Sequence, residues 1–239
     1  MIDQFSRIRL TFGSQNMQIL NSSRVIVFGI GGVGGYAVEA LVRSGIGAVD
    51  IVDSDVVSLT NLNRQLYALH STLDMLKVDA AEKRILDINP QCKVTKHNVF
   101  FTKENSAMFD FSKYDYIVDC IDTVSSKIEL VLKAKAFDKK IISSMGAGNK
   151  VDPTKFQVAD ISKTSVCPLA RVMRNELKKR NIKQLKCVFS TEPVIKPVAE
   201  PDSELKGSSI APGSNAFTPS VAGLIIAAEV IKDLTSFHA

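Results

Sequence analysis

The sequence has few of the residues that build metal or disulfide frameworks. Its four cysteines stand alone, with no C-x-x-C pair, so it has neither the ligand spacing of a structural zinc site nor a disulfide pattern. No apolar run approaches the roughly 18–20 residues of a membrane helix. The N-terminal residues lack the apolar core of a secretory signal. We therefore expect a cytoplasmic protein with reduced thiols and no membrane partner.

What is present is an ordinary soluble composition, with 45% hydrophobic and 23% charged residues. In residues 1–150, short apolar runs alternate with helical patterns. The predicted strands lie near 24–29, 48–53, 93–99, 115–120 and 140–144, and the predicted helices near 32–44, 73–88, 103–109 and 124–137. This alternation predicts an α/β fold with a doubly wound, Rossmann-like, mostly parallel sheet.

The second half of the chain has a different character. We expect strands near 155–160 and 186–190 around a basic helix over 167–180. An apolar helix over 221–234 belongs in the core or at a subunit interface. Residues 191–216 contain four of the eight prolines and no periodicity, which is typical of a lid, a crossover or a mobile loop.

A glycine-rich loop joins the first predicted strand to the first helix. Gly29, Gly31 and Gly34 have the spacing of a dinucleotide fingerprint, and Gly32 lies between them. Without side chains, the loop lets backbone N–H groups approach a phosphate at the positive end of the helix. Asp53 ends the next strand, where a ribose-binding acid is expected. The alternative is a turn made for close packing alone, and the motif does not say which nucleotide binds.

Two cations after Asp53 distinguish phosphate chemistry from simple nucleotide binding. Arg64 can contact two phosphate oxygens at once, and Lys77 supplies a point charge. Asn61 can orient the same group by hydrogen bonding. Transfer of an adenylyl group builds negative charge on phosphate, which fixed cations stabilise. Each of these residues alone is more often a surface residue, so their order along the chain is the evidence.

Asp122 lies just past the predicted strand 115–120, at the edge where α/β proteins bind ligands. A carboxylate there can hold Mg²⁺ between triphosphate oxygens. The alternative is a cap for the helix 124–137, and the two roles are compatible. Asp119 is a second candidate, but it falls within the strand and favours a local structural role.

A basic cluster covers residues 171–186, where seven lysines and arginines face a single acid. Arg171, Arg174 and Lys178 fall on one stripe at helical spacing. Such a stripe either binds a polyanion or is a solvated face. Whether a cysteine is catalytic stays open. Cys187 fits the core, whereas Cys167, at a helix start, is the more plausible reactive one.

The sequence resembles the superfamily of ubiquitin-activating enzymes and their bacterial relatives ThiF and MoeB. The matching positions are Arg7, Gly29 to Gly35, Asp53, Asp55, Asn61 to Gln65, Lys77, Asp119 and Asp122. The resemblance implies that these positions, Asp55 and Gln65 included, bind ATP and Mg²⁺ and adenylate a carboxylate. It also implies a homodimer in which Arg7 reaches the partner's site. We expect one adenylating domain over 1–239, with a nucleotide-binding half in 1–150 and a substrate-side, dimer-forming half in 151–239.

Motifs of the second half narrow the resemblance to one branch, the TcdA (CsdL) branch. They are Ser144 to Lys150 with Asp152-Pro153-Thr154, Asp160 to Thr164, Pro168-Leu169-Ala170 and Val188 to Glu192. This branch dehydrates threonylcarbamoyladenosine of tRNA to a cyclic hydantoin, so the implied partner is a tRNA carrying that nucleoside. Two departures are Cys167, where an acid is expected, and the run 208–215, which matches no motif.

Two other functions compete with this one. The first is activation of a ubiquitin-like sulfur-carrier protein, which needs a groove for a protein tail rather than a basic tRNA surface. The second is a dehydrogenase or binding module that holds NAD, which leaves Arg64, Lys77 and Asp122 unexplained. The sequence does not indicate which tRNAs are used or whether another protein delivers sulfur or electrons.

Overall fold

One twisted sheet forms the centre of the molecule. In the computed structural model, which describes residues 2–198 and 212–237, the strands are Arg24–Phe28 (β1), Ala48–Val52 (β2), Lys93–His97 (β3), Tyr116–Asp119 (β4), Lys140–Ser144 (β5), Phe156–Asp160 (β6) and Lys186–Ser190 (β7). Their order across the sheet is β3-β2-β1-β4-β5-β7-β6. Only the pair β6–β7 is antiparallel among these strands. The chain turns from one side of β1 to the other between β3 and β4, so the switch point for ligand binding lies between β1 and β4.

Helices cover both faces of the sheet. They are Ser6–Ser22 (α1), Gly34–Arg43 (α2), Lys77–Ile88 (α3), Val124–Ala136 (α4), Pro168–Lys179 (α5) and Thr218–Thr235 (α6). Side chains of α1, α2, α3 and α6 join one hydrophobic core, and those of α4 and α5 join the other. Because both faces are covered, the inner strands are continuous apolar runs rather than alternating ones.

Helix α6 lies directly against α2 and the glycine loop, and close contacts at two glycines determine how near it comes. A Cβ atom on Gly223 would come within 2.2 Å of the Val33 carbonyl oxygen. One turn earlier, Pro219 contacts the glycine loop, 3.3 Å from where a Cβ of Gly32 would lie. The C-terminal helix therefore supports the loop that the sequence predicts to bind phosphate.

The structure confirms the predicted fold class and corrects two predicted helices. The helix predicted over 73–88 begins only at Lys77, because Leu76 pairs with Val56 in an isolated bridge and Asp74 has a left-handed φ of 64°. The helix predicted over 103–109 is a single 3-10 turn, Ser106–Met108. Helix α1 was not predicted. In the described residues, no helix is long and apolar enough to span a membrane.

Candidate functional site

The glycine loop leaves β1 and enters α2 through a turn that only glycine fits. Gly29 has a φ of +79°, and a Cβ there would come within 2.9 Å of the Cys120 carbonyl oxygen. A Cβ on Gly34 would lie 1.8 Å from the carbonyl oxygen of Gly29. The turn is thus packed closely against the end of β4, which fits the packing interpretation of the motif, while the binding interpretation stays a prediction.

A cavity of about 1010 Å³ opens at the carboxyl ends of β1, β2, β4 and β5. Its place at the switch point is where open α/β sheets bind ligands. Most of the predicted site residues line it, namely Gly29, Gly31, Gly32, Asp53, Asp55, Asn61, Arg64, Gln65, Lys77 and Asp122. Gly34 packs beneath the loop instead, and Arg7 is exposed on α1 and lies outside the lining.

Asp53 fixes the geometry at the end of β2. One oxygen of its carboxylate accepts from the Ile30 amide at 2.9 Å, and the other accepts from the Asp55 amide at 3.0 Å. Burial raises the pKa of Asp53, against the opposing charge of Lys77 and these two amides. The acid is therefore held by the glycine loop itself, at the place predicted for the ribose.

Lys77 is the first residue of α3 and its side chain is buried. Its Nζ lies 2.6 Å from the carboxylate of Asp55, which is exposed, and 3.9 Å from that of Asp53. The lysine is thus fixed within the cavity next to the predicted ribose acid. A positive charge in such a partly desolvated place interacts with phosphate more strongly than a surface lysine does.

The turn after β2 presents the amide and guanidinium groups that the sequence singled out. Asn61 is buried, and its side-chain oxygen accepts from the Ser58 amide at 3.2 Å. Arg64 donates from Nη1 to the Thr60 carbonyl and the Asn63 side chain, each at 2.8 Å. Both contacts hold Arg64 against its own turn, so its guanidinium has a fixed position on the cavity wall.

Asp122 is exposed on the rim of the cavity. Thr123, not Asp122, occupies the N-cap position of α4, so the capping alternative is wrong. No group of three or more His, Cys, Asp or Glu side chains forms a metal site within the described ranges. A single carboxylate suits Mg²⁺, which usually binds one or two carboxylates together with phosphate oxygens and water.

Asp119 is fully buried and does not line the cavity. Its carboxylate accepts from the Ile121 amide at 3.2 Å and the Ser143 hydroxyl at 2.5 Å. The expected local structural role of Asp119 is confirmed. Its ion-pair partner Lys127, 2.9 Å away, was not found by sequence reasoning, because nothing in the local pattern of α4 distinguishes it from a surface lysine.

The wall opposite the glycine loop comes from the second half of the chain. This far wall is lined by Ser144 to Gly148, Leu169, Pro212 and Ser214, whereas Pro219 lies at the glycine loop. Asn149 and Gly213 connect the segments 144–148 and 212–214 of this wall. The Asn149 backbone amide donates to the Gly213 carbonyl at 2.7 Å, and the Gly213 amide donates to the Asn149 side chain at 2.6 Å. Residues 199–211, half of the segment 191–216 predicted as a lid, a crossover or a mobile loop, lie outside the described residues.

The two candidate cysteines of the sequence analysis, Cys167 and Cys187, lie outside the cavity. Both are buried. Burial raises the pKa of the Cys187 thiol to about 12. Cys187 therefore belongs to the core, as expected. Cys167, the more plausible nucleophile by sequence, is buried behind the far wall.

The basic helix α5 starts at the rim of the cavity, because Leu169 in its first turn lines that cavity. Arg171 and Lys178 are exposed. Arg174 instead uses Nη1 to bind the Thr164 carbonyl at 2.9 Å. Two of the three predicted polyanion-binding side chains are thus exposed, and the third also supports the turn before α5.

Comparison with known proteins agrees with this geometry. The ThiF family model matches residues 5–239. A tRNA threonylcarbamoyladenosine dehydratase of Bacillus subtilis is 46% identical, with 98% of this chain and 95% of the relative covered. The fold matches a crystal structure of Escherichia coli TcdA in complex with ATP, with a TM-score of 0.88 and 32% identity over 98% of this chain and 94% of that one. An adenylyltransferase and sulfurtransferase, uba4 of Ogataea parapolymorpha, is 35% identical over 65% of this chain and 39% of its own length. The chain belongs to the ThiF family.

Proposed function

We propose that this chain is an ATP-dependent tRNA threonylcarbamoyladenosine dehydratase. The observation that carries the proposal is that the likeness to named dehydratases extends over both walls of the cavity, not only over the glycine loop. The sulfur-carrier alternative is not favoured, since the relative of that description matches only 65% of the chain. An NAD-binding module leaves Arg64 and Lys77 in the cavity without a role.

The proposed reaction has two steps. A threonyl carboxylate oxygen attacks the α-phosphorus of ATP, a new P–O bond forms, and pyrophosphate leaves. Arg64 and Lys77 stabilise the charge that builds on the phosphates during this step. The ureido nitrogen of the same substituent then attacks the activated carbonyl carbon, loses its proton and expels AMP. The substrate thereby loses the elements of one water.

No covalent enzyme intermediate is needed in the second step. The ureido nitrogen and the activated carbonyl belong to one side chain, and such intramolecular reactions have effective concentrations of roughly 10⁵ M or more. The burial of Cys167 and Cys187 agrees with this scheme. The role of the protein is therefore to bind ATP, to place the carboxylate and to exclude water.

We also propose that Asp122 holds Mg²⁺ together with the triphosphate oxygens. The exposed position of this carboxylate on the cavity rim fits the group. When bound there, the ion would supply positive charge next to the phosphates. Asp53 then binds the ribose, and Asn61 and Gln65 orient the phosphates, as the resemblance implies.

The proposed RNA contact is the exposed side of α5, with Arg171 and Lys178 as its main cations. This helix starts at the cavity rim, so a tRNA bound along it brings its modified nucleoside to the far wall. We further propose a cytoplasmic homodimer in which Arg7 enters the partner's site. What supports this is that Arg7 is exposed and does not line the cavity of its own chain.

Mass spectrometry of tRNA nucleosides tests the proposal directly. The protein is incubated with ATP, Mg²⁺ and tRNA that carries threonylcarbamoyladenosine, and the tRNA is then digested. A mass loss of one water confined to that nucleoside, with release of AMP and pyrophosphate, is the expected result. An unchanged nucleoside, with pyrophosphate exchange driven instead by a ubiquitin-like carrier, would replace this function by the sulfur-carrier alternative.

A further inference from the structure

A buried ion pair lies directly behind the cavity, and the proposed chemistry does not use it. Lys127 of α4 and Asp119 of β4 both have fully buried side chains, with Nζ and Oδ2 2.9 Å apart. Neither residue lines the cavity. Burying two charges costs free energy that the pair recovers only when further hydrogen bonds satisfy it, and an apolar pair of equal volume often serves stability as well.

The remaining hydrogen bonds of Lys127 go to two backbone carbonyls at the cavity. Its Nζ donates to the Ile121 carbonyl at 3.0 Å and to the Ser144 carbonyl at 2.8 Å. Ile121 and Ser144 both line the cavity. Ile121 directly precedes Asp122, and Ser144 is the first residue of the far wall, which continues through 145–148. A single ammonium group therefore connects the carboxyl ends of β4 and β5.

Asp119 completes the connection from the other side. It accepts from the Ile121 amide and from the Ser143 hydroxyl, so it contacts the same two chain ends as Lys127 does. The carbonyl and the amide of Ile121 are both held by this pair. The backbone at the ends of β4 and β5 is thus fixed by hydrogen bonds to charged groups, which are stronger than bonds between neutral groups.

We propose that Lys127 and Asp119 are positioning residues for adenylation, which keep Asp122 and the far wall 145–148 at the separation that the reaction needs. The inference rests on the proposed function, because it assigns these two walls to the nucleotide and to the acceptor carboxylate. Misplacing a reacting group by about 1 Å can cost on the order of 10²-fold in rate. The pair therefore affects turnover more than it affects binding.

The double variant Asp119→Asn/Lys127→Met tests this proposal. It removes both charges together, so no unpaired charge is left buried, and Asn keeps an acceptor for the Ile121 amide. We expect a melting temperature close to that of the wild type, a KM for ATP and a Kd for tRNA within about threefold, and a kcat lower by roughly 10–100-fold. Lys127→Arg is a second variant, since it keeps the charge but cannot place one compact ammonium between the two carbonyls.

The double variant Arg24→Met/Asp50→Asn is the matched control. Arg24 and Asp50 also connect two strands, β1 and β2, through an ion pair of 2.7 Å, but Arg24 begins β1 at the end of the strand opposite the cavity. The kcat of this variant should match that of the wild type. A wild-type kcat in both Lys127 variants would overturn the inference. If melting temperature, ATP binding and kcat all fall in parallel, the pair has a purely structural role and the inference is also overturned. A wild-type protein that forms no cyclic nucleoside would overturn the proposed function, and the inference with it.

Discussion

At the scale of single residues, the site depends on where each charge is held. Lys77 is buried between two carboxylates, whereas Asp122 is exposed on the rim. Burial holds the ammonium group of Lys77 in a fixed position, as a phosphate-binding cation requires. Exposure leaves the carboxylate of Asp122 accessible to a metal ion. Arg64 is held by its own turn. Their order in the sequence singled out these residues, and their environments suit the different tasks that we propose for them.

Replacing Lys77 or Arg64 by alanine should reduce turnover by roughly 10²–10³-fold, the usual cost of removing one group that stabilises charge in the transition state. The measurement is the rate of AMP release with modified tRNA and saturating ATP. Lys83→Ala is the control, because Lys83 lies on the same helix α3 and is exposed. Turnover near the wild-type rate in both variants would remove these cations from the active site.

At the scale of elements, the C-terminal helix α6 determines how well the glycine loop is supported. The close approach of α6 to α2 depends on Gly223, and Pro219 in its first turn contacts Gly32. The far wall is connected to the segment before α6 through Asn149 and Gly213. Helix α6 thus supports the proposed nucleotide site although it lies far from the glycine loop in sequence.

Gly223→Ala should destabilise the fold by about 1–3 kcal/mol or more, because the added methyl group cannot occupy the space taken by the Val33 carbonyl. Thermal unfolding measures the loss, and ATP affinity should fall with it because the loop moves. Lys83→Ala, at an exposed position of α3, should stay within about 0.5 kcal/mol of the wild type. An unchanged melting temperature in Gly223→Ala would show that the helices separate without cost.

The basic helix α5 gives a second prediction at this scale. Arg171→Glu/Lys178→Glu should weaken tRNA binding strongly, and wild-type binding should weaken steeply with added salt, as counterion release requires. Arg174 stays unchanged in this test because it supports the Thr164 turn. Titration of tRNA at two or more salt concentrations is the measurement.

The control for charge is Lys83→Glu/Lys93→Glu, which changes the net charge by about as much at exposed positions on another part of the surface. ATP affinity should be unaffected in both pairs, since the residues proposed to bind the nucleotide belong to the first half of the chain. Equal tRNA affinity in the two pairs of variants would make the exposed side of α5 an ordinary solvated surface.

At the scale of the whole molecule, Arg7 does not line the cavity of its own chain. If the partner subunit supplies this residue, activity belongs to the dimer. Helices α1 and α6 lie together on one face of the sheet, and large apolar side chains such as Leu10 and Leu224 are exposed on them. This face is therefore the one that we expect a second copy to cover.

Mixing Arg7→Ala with Lys77→Ala, each inactive alone, should restore partial turnover, because some heterodimers then contain one intact site. The rate of AMP release after subunit exchange is the measurement, with each variant alone as its control. A mixture that stays inactive after proven exchange would mean that Arg7 acts within its own chain or has no role.

The strands, most of the helices and the location of most predicted site residues at the cavity could be predicted from the sequence. These features depend on local physics: apolar runs form buried strands, a glycine turn opens a helix, and carboxyl ends of parallel strands meet at one edge. Asp53, Arg64, Lys77 and Asp122 could be predicted because each follows such a strand or loop in order.

Only the tertiary structure decided the contacts between segments far apart in sequence. The start of α3 at Lys77 depends on the bridge from Leu76 to Val56, which overrides local helix propensity. The role of Lys127 depends on two carbonyls and a carboxylate that the sheet brings together. A pattern along one helix carries no record of such partners, because their positions are set by the packing of β4 against β5.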